Sequence, residues 1–137
     1  MASHELNVEP QVSEIPRLLD WVEACCGAEG IAEEFRYKVM LALEEAVTNV
    51  INHAFADVPP PHQVRVRLDI TAERFAAKVI DNGRVFDPTS APDPDLTLPL
   101  EQRTPGGLGI HLMRNVMDRL QYRHEVGRNT LRLEKGR

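Results

Sequence analysis

No apolar run in this chain approaches the roughly 20 residues that a membrane-spanning helix needs, and the N-terminus lacks the basic-then-apolar layout of a signal peptide. A cytoplasmic location is the default expectation. Cysteine is nearly absent. Its two residues, Cys25 and Cys26, are neighbours, and neighbours on a helix point about 100° apart, so they are expected to pack rather than to bridge or to hold zinc. The five histidines show no metal-ligand spacing. Positive charge is in deficit: 16 basic against 21 acidic side chains leave a formal charge of −5, which argues against nonspecific binding to nucleic acid. Internal repeats and low-complexity tracts are missing as well. What remains is a chain of 137 residues, 42% hydrophobic and 27% charged, the balance of one globular domain with a real core.

The elements follow from periodicity and breakers. His4–Val8 suggests a short first strand. After Pro10, Ile15, Leu18, Leu19, Val22 and Cys26 share one helical side, closed by Gly27 and Gly30. A second helix is expected from about Ala32 to Phe55, stopped by Asp57 and the prolines at 59–61. Val64–Ile70 alternates apolar with polar and predicts a half-buried strand, paired in a hairpin with Phe75–Ile80. A long segment, Asn82 to Pro105, holds five prolines, and a loop of that length usually serves as a lid or binding loop. Gly106–Gly109 opens a third helix, Ile110 to about Asp118. Leu120–Glu125 and Thr130–Glu134 then form a terminal hairpin around Gly127, Arg128 and Asn129. Helices before and between such strands predict a two-layer α/β sandwich, with a mixed, mostly antiparallel sheet and helices on one face.

Three polar sites stand out along this order. Glu45 and Asn49 lie one turn apart on the second helix, about 40° round its axis. Val39, Leu43, Ala46, Val47, Val50 and Ala54 form the opposite, apolar stripe. A carboxylate and a carboxamide on a rigid element can take a proton and hold a divalent cation; the plain alternative is a solvated helix face. Asp81-Asn-Gly83 ends the hairpin, where Asp81 offers acceptors to an exocyclic amine such as that of adenine; the plain alternative is an Asx turn. Thr104-Pro-Gly-Gly-Leu-Gly-Ile110 leads into a helix, whose free N–H groups suit phosphate. It carries neither the Gly-Lys-Ser/Thr ending of a P-loop nor the βαβ setting of a dinucleotide fold.

The order of these pieces carries more than any one of them. A Glu-x-x-x-Asn helix, a strand ending in Asp-x-Gly, a long loop and Gly-x-Gly at a helix start, from about Val8 to Glu134, resemble the ATP-binding domain of gyrase-type ATPases, MutL and histidine kinases, the Bergerat fold. Glu-Ala-Val-Thr-Asn with Asp-Asn-Gly-Arg-Val-Phe-Asp-Pro is most similar to the bacterial anti-sigma factor serine kinases. The resemblance implies one ATP-binding domain over residues 1–137, with a lid at about 84–106. It implies Asn49 as ligand of Mg²⁺ and Glu45 as general base, Glu44 pointing elsewhere. It further implies Asp81 and Gly83 at adenine, Gly107, Leu108 and Gly109 at the phosphates, and Thr130 near the base. Arg103, in the lid, is a candidate to neutralise phosphate charge. Val85 departs from the wider Asp-x-Gly-x-Gly pattern and leaves the lid hinge open.

The activity so implied is Mg-ATP-dependent phosphorylation of a serine or threonine on a STAS-type anti-anti-sigma protein. The second implied partner is an RNA polymerase sigma factor, sequestered when the first is phosphorylated, and a homodimer is common in the family. The competing reading is a nucleotide-gated switch that binds a partner without transferring phosphate. A histidine kinase fragment fits poorly, because His4 lies in no helical hairpin.

Overall fold

The computed structural model describes residues 1–90, 97, 99 and 107–137. Strand β1 (Ala2–Val8) leads through a short 3₁₀ turn into helices α1 (Ile15–Ala28) and α2 (Glu33–His53). The hairpin of β2 (Val64–Ile70) and β3 (Arg74–Asp81) follows, then helix α3 (Gly107–Val116) and the hairpin of β4 (Arg119–Glu125) and β5 (Arg128–Gly136). The strands form one sheet in the order β1-β2-β3-β5-β4. Each neighbouring pair is antiparallel, so the mostly antiparallel sheet that was expected contains no parallel pair among the described strands. The physical reason lies in the connections. Two successive helices between β1 and β2 return the chain in the opposite direction, and both hairpins reverse it by construction.

Alternation divides the sheet into two faces. Val64, Val66, Leu68 and Ile70 of β2, Phe75, Ala77 and Val79 of β3, and Leu131 and Leu133 of β5 are buried against the helices. Helix α2 lies in the middle of the helical layer, touching both α1 and α3. Its stripe of Val39, Leu43, Ala46, Val47, Val50 and Ala54 is buried as its spacing predicts. Cys25 and Cys26 are buried free thiols, and burial pushes Cys26 up to about 11, so both serve as packing. No helix among the described residues is long and apolar enough to cross a membrane.

The other face of the sheet is polar and carries charge of one dominant sign. β2 contributes Arg65 and Arg67, β3 Arg74 and Lys78, β4 Arg119 and Arg123, and β5 Arg128 and Arg132.

The terminal hairpin turns on Val126 and Gly127, at φ 53° and 72°, and not on Gly127–Asn129. Glu125 pairs with Arg128, so the loop has two residues, and both must take positive φ to match the twist of the strands. Arg128 and Asn129 are thereby drawn into β5.

Candidate functional site

Helix α2 presents Glu45 and Asn49 toward the first turn of α3. A Cβ on Gly109 would sit 2.6 Å from Glu45 Oε2 and 3.7 Å from Asn49 Nδ2. Only a glycine lets α3 start directly over that pair. The first turn of the helix, whose amides carry partial positive charge, therefore lies close to the carboxylate and the carboxamide. Burial pushes the Glu45 carboxyl up, and the neighbouring Glu44 charge adds to the effect. A carboxylate so raised is a stronger proton acceptor than an exposed one.

Asn49 also lines a second feature together with Asp81, a cavity of about 10 Å³ whose walls include Val79 and Leu131 of the sheet and Phe86 and Pro88 of the following loop. That space takes roughly one water. Asp81 is buried, at the inner side of the end of β3. Its Oδ1 accepts from the Gly83 backbone N–H at 2.8 Å and from Asn129 Nδ2 at 2.9 Å, and Oδ2 accepts nothing among the described residues. Burial holds the Asp81 carboxyl above the usual range, against the pull of these two bonds and of His124. Oδ2 is the acceptor left over for a ligand.

Asn129 is a site residue that the sequence reading passed over. Its amide also donates to the Arg84 carbonyl at 2.6 Å, while its oxygen accepts from Tyr122 Oη and pairs with His124 Nδ1 at 3.1 Å. Thr130, the expected residue, stands on the outer face of the sheet, beside Lys78 and Arg132. Successive strand residues point to opposite faces, and Asn129 shares the inner face with Leu131 and Leu133, both buried. Counting back by two from those leucines would have selected it.

Gly83 has a structural duty of its own. A Cβ there would overlap the Ala54 carbonyl at the end of α2. That close approach lets Arg84 N–H donate to Ala54 O at 2.8 Å and Arg84 Nε to His53 O at 3.1 Å. The bonds tie the site strand to the site helix. Gly107 lies in the first turn of α3 with Leu108 after it. Arg103 falls outside the described residues.

Comparison with known proteins places this geometry in a family. Residues 8–135 match the model of the histidine kinase-like ATPase domain. The serine/threonine-protein kinase BtrW of Bordetella bronchiseptica is 33% identical over 117 residues, covering 84% of this chain and 80% of the relative. The serine-protein kinase RsbW of Bacillus cereus is 27% identical over 106 residues, covering 74% of this chain. This chain spans 65% of that relative's length, just under two thirds. Among solved structures, the RsbU and RsbW domains of Rv1364c from Mycobacterium tuberculosis superpose with a TM-score of 0.70 at 13% identity, over 98% of this chain and 32% of that one. The histidine kinase domain of a blue-light-activated kinase from Erythrobacter litoralis gives a TM-score of 0.56 at 15% identity, over 90% of this chain and 59% of that one. At such identities the structural matches speak for the fold alone.

Proposed function

The chain belongs to the histidine kinase-like ATPase domain family, and from that premise we propose that it is a Mg-ATP-dependent serine/threonine protein kinase acting on a STAS-type anti-anti-sigma protein and thereby controlling a sigma factor. The observation that carries this reading is the placement of Gly109 against both Glu45 and Asn49. It brings a carboxylate and a carboxamide side chain up to the start of a helix, which supports a reading in which they serve as proton acceptor and cation ligand in phosphoryl transfer.

The donor set fits Mg²⁺. This cation keeps several waters and binds through one or two protein oxygens plus substrate phosphates, and Asn49 supplies such an oxygen with Glu45 alongside. When bound, Mg²⁺ neutralises charge on the transferring phosphates. Glu45 Oε2 accepts the proton of the incoming serine or threonine hydroxyl. The amides at the start of α3, from Gly107 through Leu108 to Gly109, hold phosphate oxygens. Asp81 Oδ2 takes a hydrogen bond from the exocyclic amine of adenine, and Asn129 keeps Asp81 aimed by occupying Oδ1. Gly83 brings this strand end up to α2, and Phe86 and Pro88 move aside for the base. Arg103 is assigned to the phosphates and residues 84–106 to the lid that excludes water. Residues 1–137 serve as one ATP-binding domain.

The test is incubation with γ-labelled ATP and a candidate STAS protein from the same genome, followed by mapping of the labelled residue. Phosphoserine or phosphothreonine on the partner, lost in Glu45→Gln, supports the kinase. A tight ATP-dependent complex without label would instead make the protein a nucleotide-gated binding switch. The raised carboxyl of Glu45 favours the kinase.

A further inference from the structure

We propose that the outer face of the sheet, opposite the nucleotide cleft, is a docking surface for a carboxylate-rich surface of a partner protein. Among the described strand residues, eight basic side chains stand on this face against four acidic ones, namely Glu5, Asp69, Glu125 and Glu134, with Glu9 at the edge just after β1. One face is thus net cationic in a chain whose formal charge is −5. Such segregation places a positive field on one side of an otherwise negative molecule and orients an acidic partner toward it.

The relief of the face supports the same conclusion. Two hollows flank the cross-strand pair Ile80–Thr130. One, of about 430 Å³, is lined by Arg65 and Arg128, with Glu9 and His62 beside them. The other, of about 360 Å³, is lined by Lys78, Arg123 and Arg132. Some cations here are already engaged: Arg132 Nε donates to Glu134 at 2.6 Å, and Arg67 pairs with Asp69 at 3.2 Å. Arg65 and Lys78 make no ion pair among the described residues, although Lys78 lends its field to Asp69. These two cations are therefore open to a carboxylate partner.

A protein fits this pattern better than a nucleic acid. Four carboxylates interleave with the cations, and a uniform polyanion would have to lie across them, whereas a protein surface can set cations opposite. Among the described strand residues no Phe, Tyr or Trp stands on the face to stack on a base, and the ring of His62 at the edge of one hollow is already stacked on Phe55. Because Asp81, Asn129 and Glu45 lie on the helical side of the sheet, such a partner and a nucleotide can be bound together. This inference therefore stands apart from the proposed kinase activity.

The experiment is an NMR titration of the ¹⁵N-labelled full chain with a short synthetic peptide alternating Glu and Thr, whose carboxylates fall on one side when extended. Binding should shift resonances of Arg65, Lys78, Arg123 and Arg132, leave those of Glu45 and Asp81 in place, and weaken with salt. The double variant R65E/K78E, substituted at surface positions, should keep its ATP affinity and bind the peptide at least about tenfold more weakly. Four results would overturn the proposal: no outer-face shifts, undiminished binding by the variant, tighter binding of a short DNA duplex or phosphatidylserine vesicles to the same residues, or outer-face shifts that follow protein concentration alone, which would assign the face to a second copy of the chain.

Discussion

Asp81 and Glu45 are both carboxyls raised by burial, and the proposed function gives them different uses. Glu45 must lose its proton to act as a base. Its pH–rate profile should therefore fall on the acid side at a higher pH than an ordinary glutamate would give, because the proton leaves a raised group later. Glu45→Gln should retain ATP binding by calorimetry while phosphotransfer drops by about 10²–10⁴. Asp81 carries a cost in the empty protein. A buried carboxyl with a raised folded value binds its proton more tightly folded than unfolded, so its contribution to stability is lost as pH rises from the unfolded value to the raised one. Asp81→Asn should thus unfold at a higher temperature than the parent at neutral pH, with the gap closing in acid. The same variant should lose ATP affinity but keep affinity for inorganic triphosphate. Asn129 explains why this substitution preserves the site: its Nδ2 and the Gly83 amide need only an acceptor at Oδ1.

At the scale of elements, two glycines look alike in sequence and differ in what they meet. Gly83 abuts the Ala54 carbonyl, a backbone group that cannot turn away, whereas Gly109 abuts the free end of the Glu45 side chain. Gly83→Ala should cost about 1–3 kcal/mol of stability, read from urea denaturation. Gly109→Ala should fold nearly as well and lose phosphotransfer, since the easy relaxation is for Glu45 to swing out of place. The terminal hairpin offers a stabilising change. Val126 is a β-branched residue, 98% exposed, held at φ 53°, where an L-residue with a branched side chain is strained by roughly 1–2 kcal/mol. Val126→Asn keeps the turn and tolerates that conformation, so differential scanning calorimetry should show the melting temperature rising by several degrees.

For the whole molecule, the cleft lies between the two layers, with α2 and α3 above and β3 and β5 below. A ligand bridging them stabilises the folded state by mass action, about 2.7 kcal/mol when present at a hundredfold its dissociation constant. Mg-ATP should therefore raise the unfolding temperature of the parent, and Asn49→Ala should abolish the part of that rise that depends on Mg²⁺. An equal rise with and without magnesium in the parent would sink the metal assignment.

Local chemistry was enough to read much of this protein. The 3.6-residue stripe of α2 placed Glu45 and Asn49 together on its far side, and the alternation of β2 and β3 marked a hairpin ending at Asp81. The run of polar stations then pointed to the family. These are short-range facts, set by backbone geometry within one element. Tertiary structure decided the rest. Whether Asn129 or Thr130 meets Asp81 depends on which face of β5 packs on the helices, and that was settled by Leu131 and Leu133 together with a two-residue turn at Val126–Gly127. That Gly109 rests on Glu45, and that basic residues scattered over four strands gather on one face, are long-range outcomes of burying a single apolar layer between sheet and helices. No local pattern encodes them, because they arise only when that layer closes.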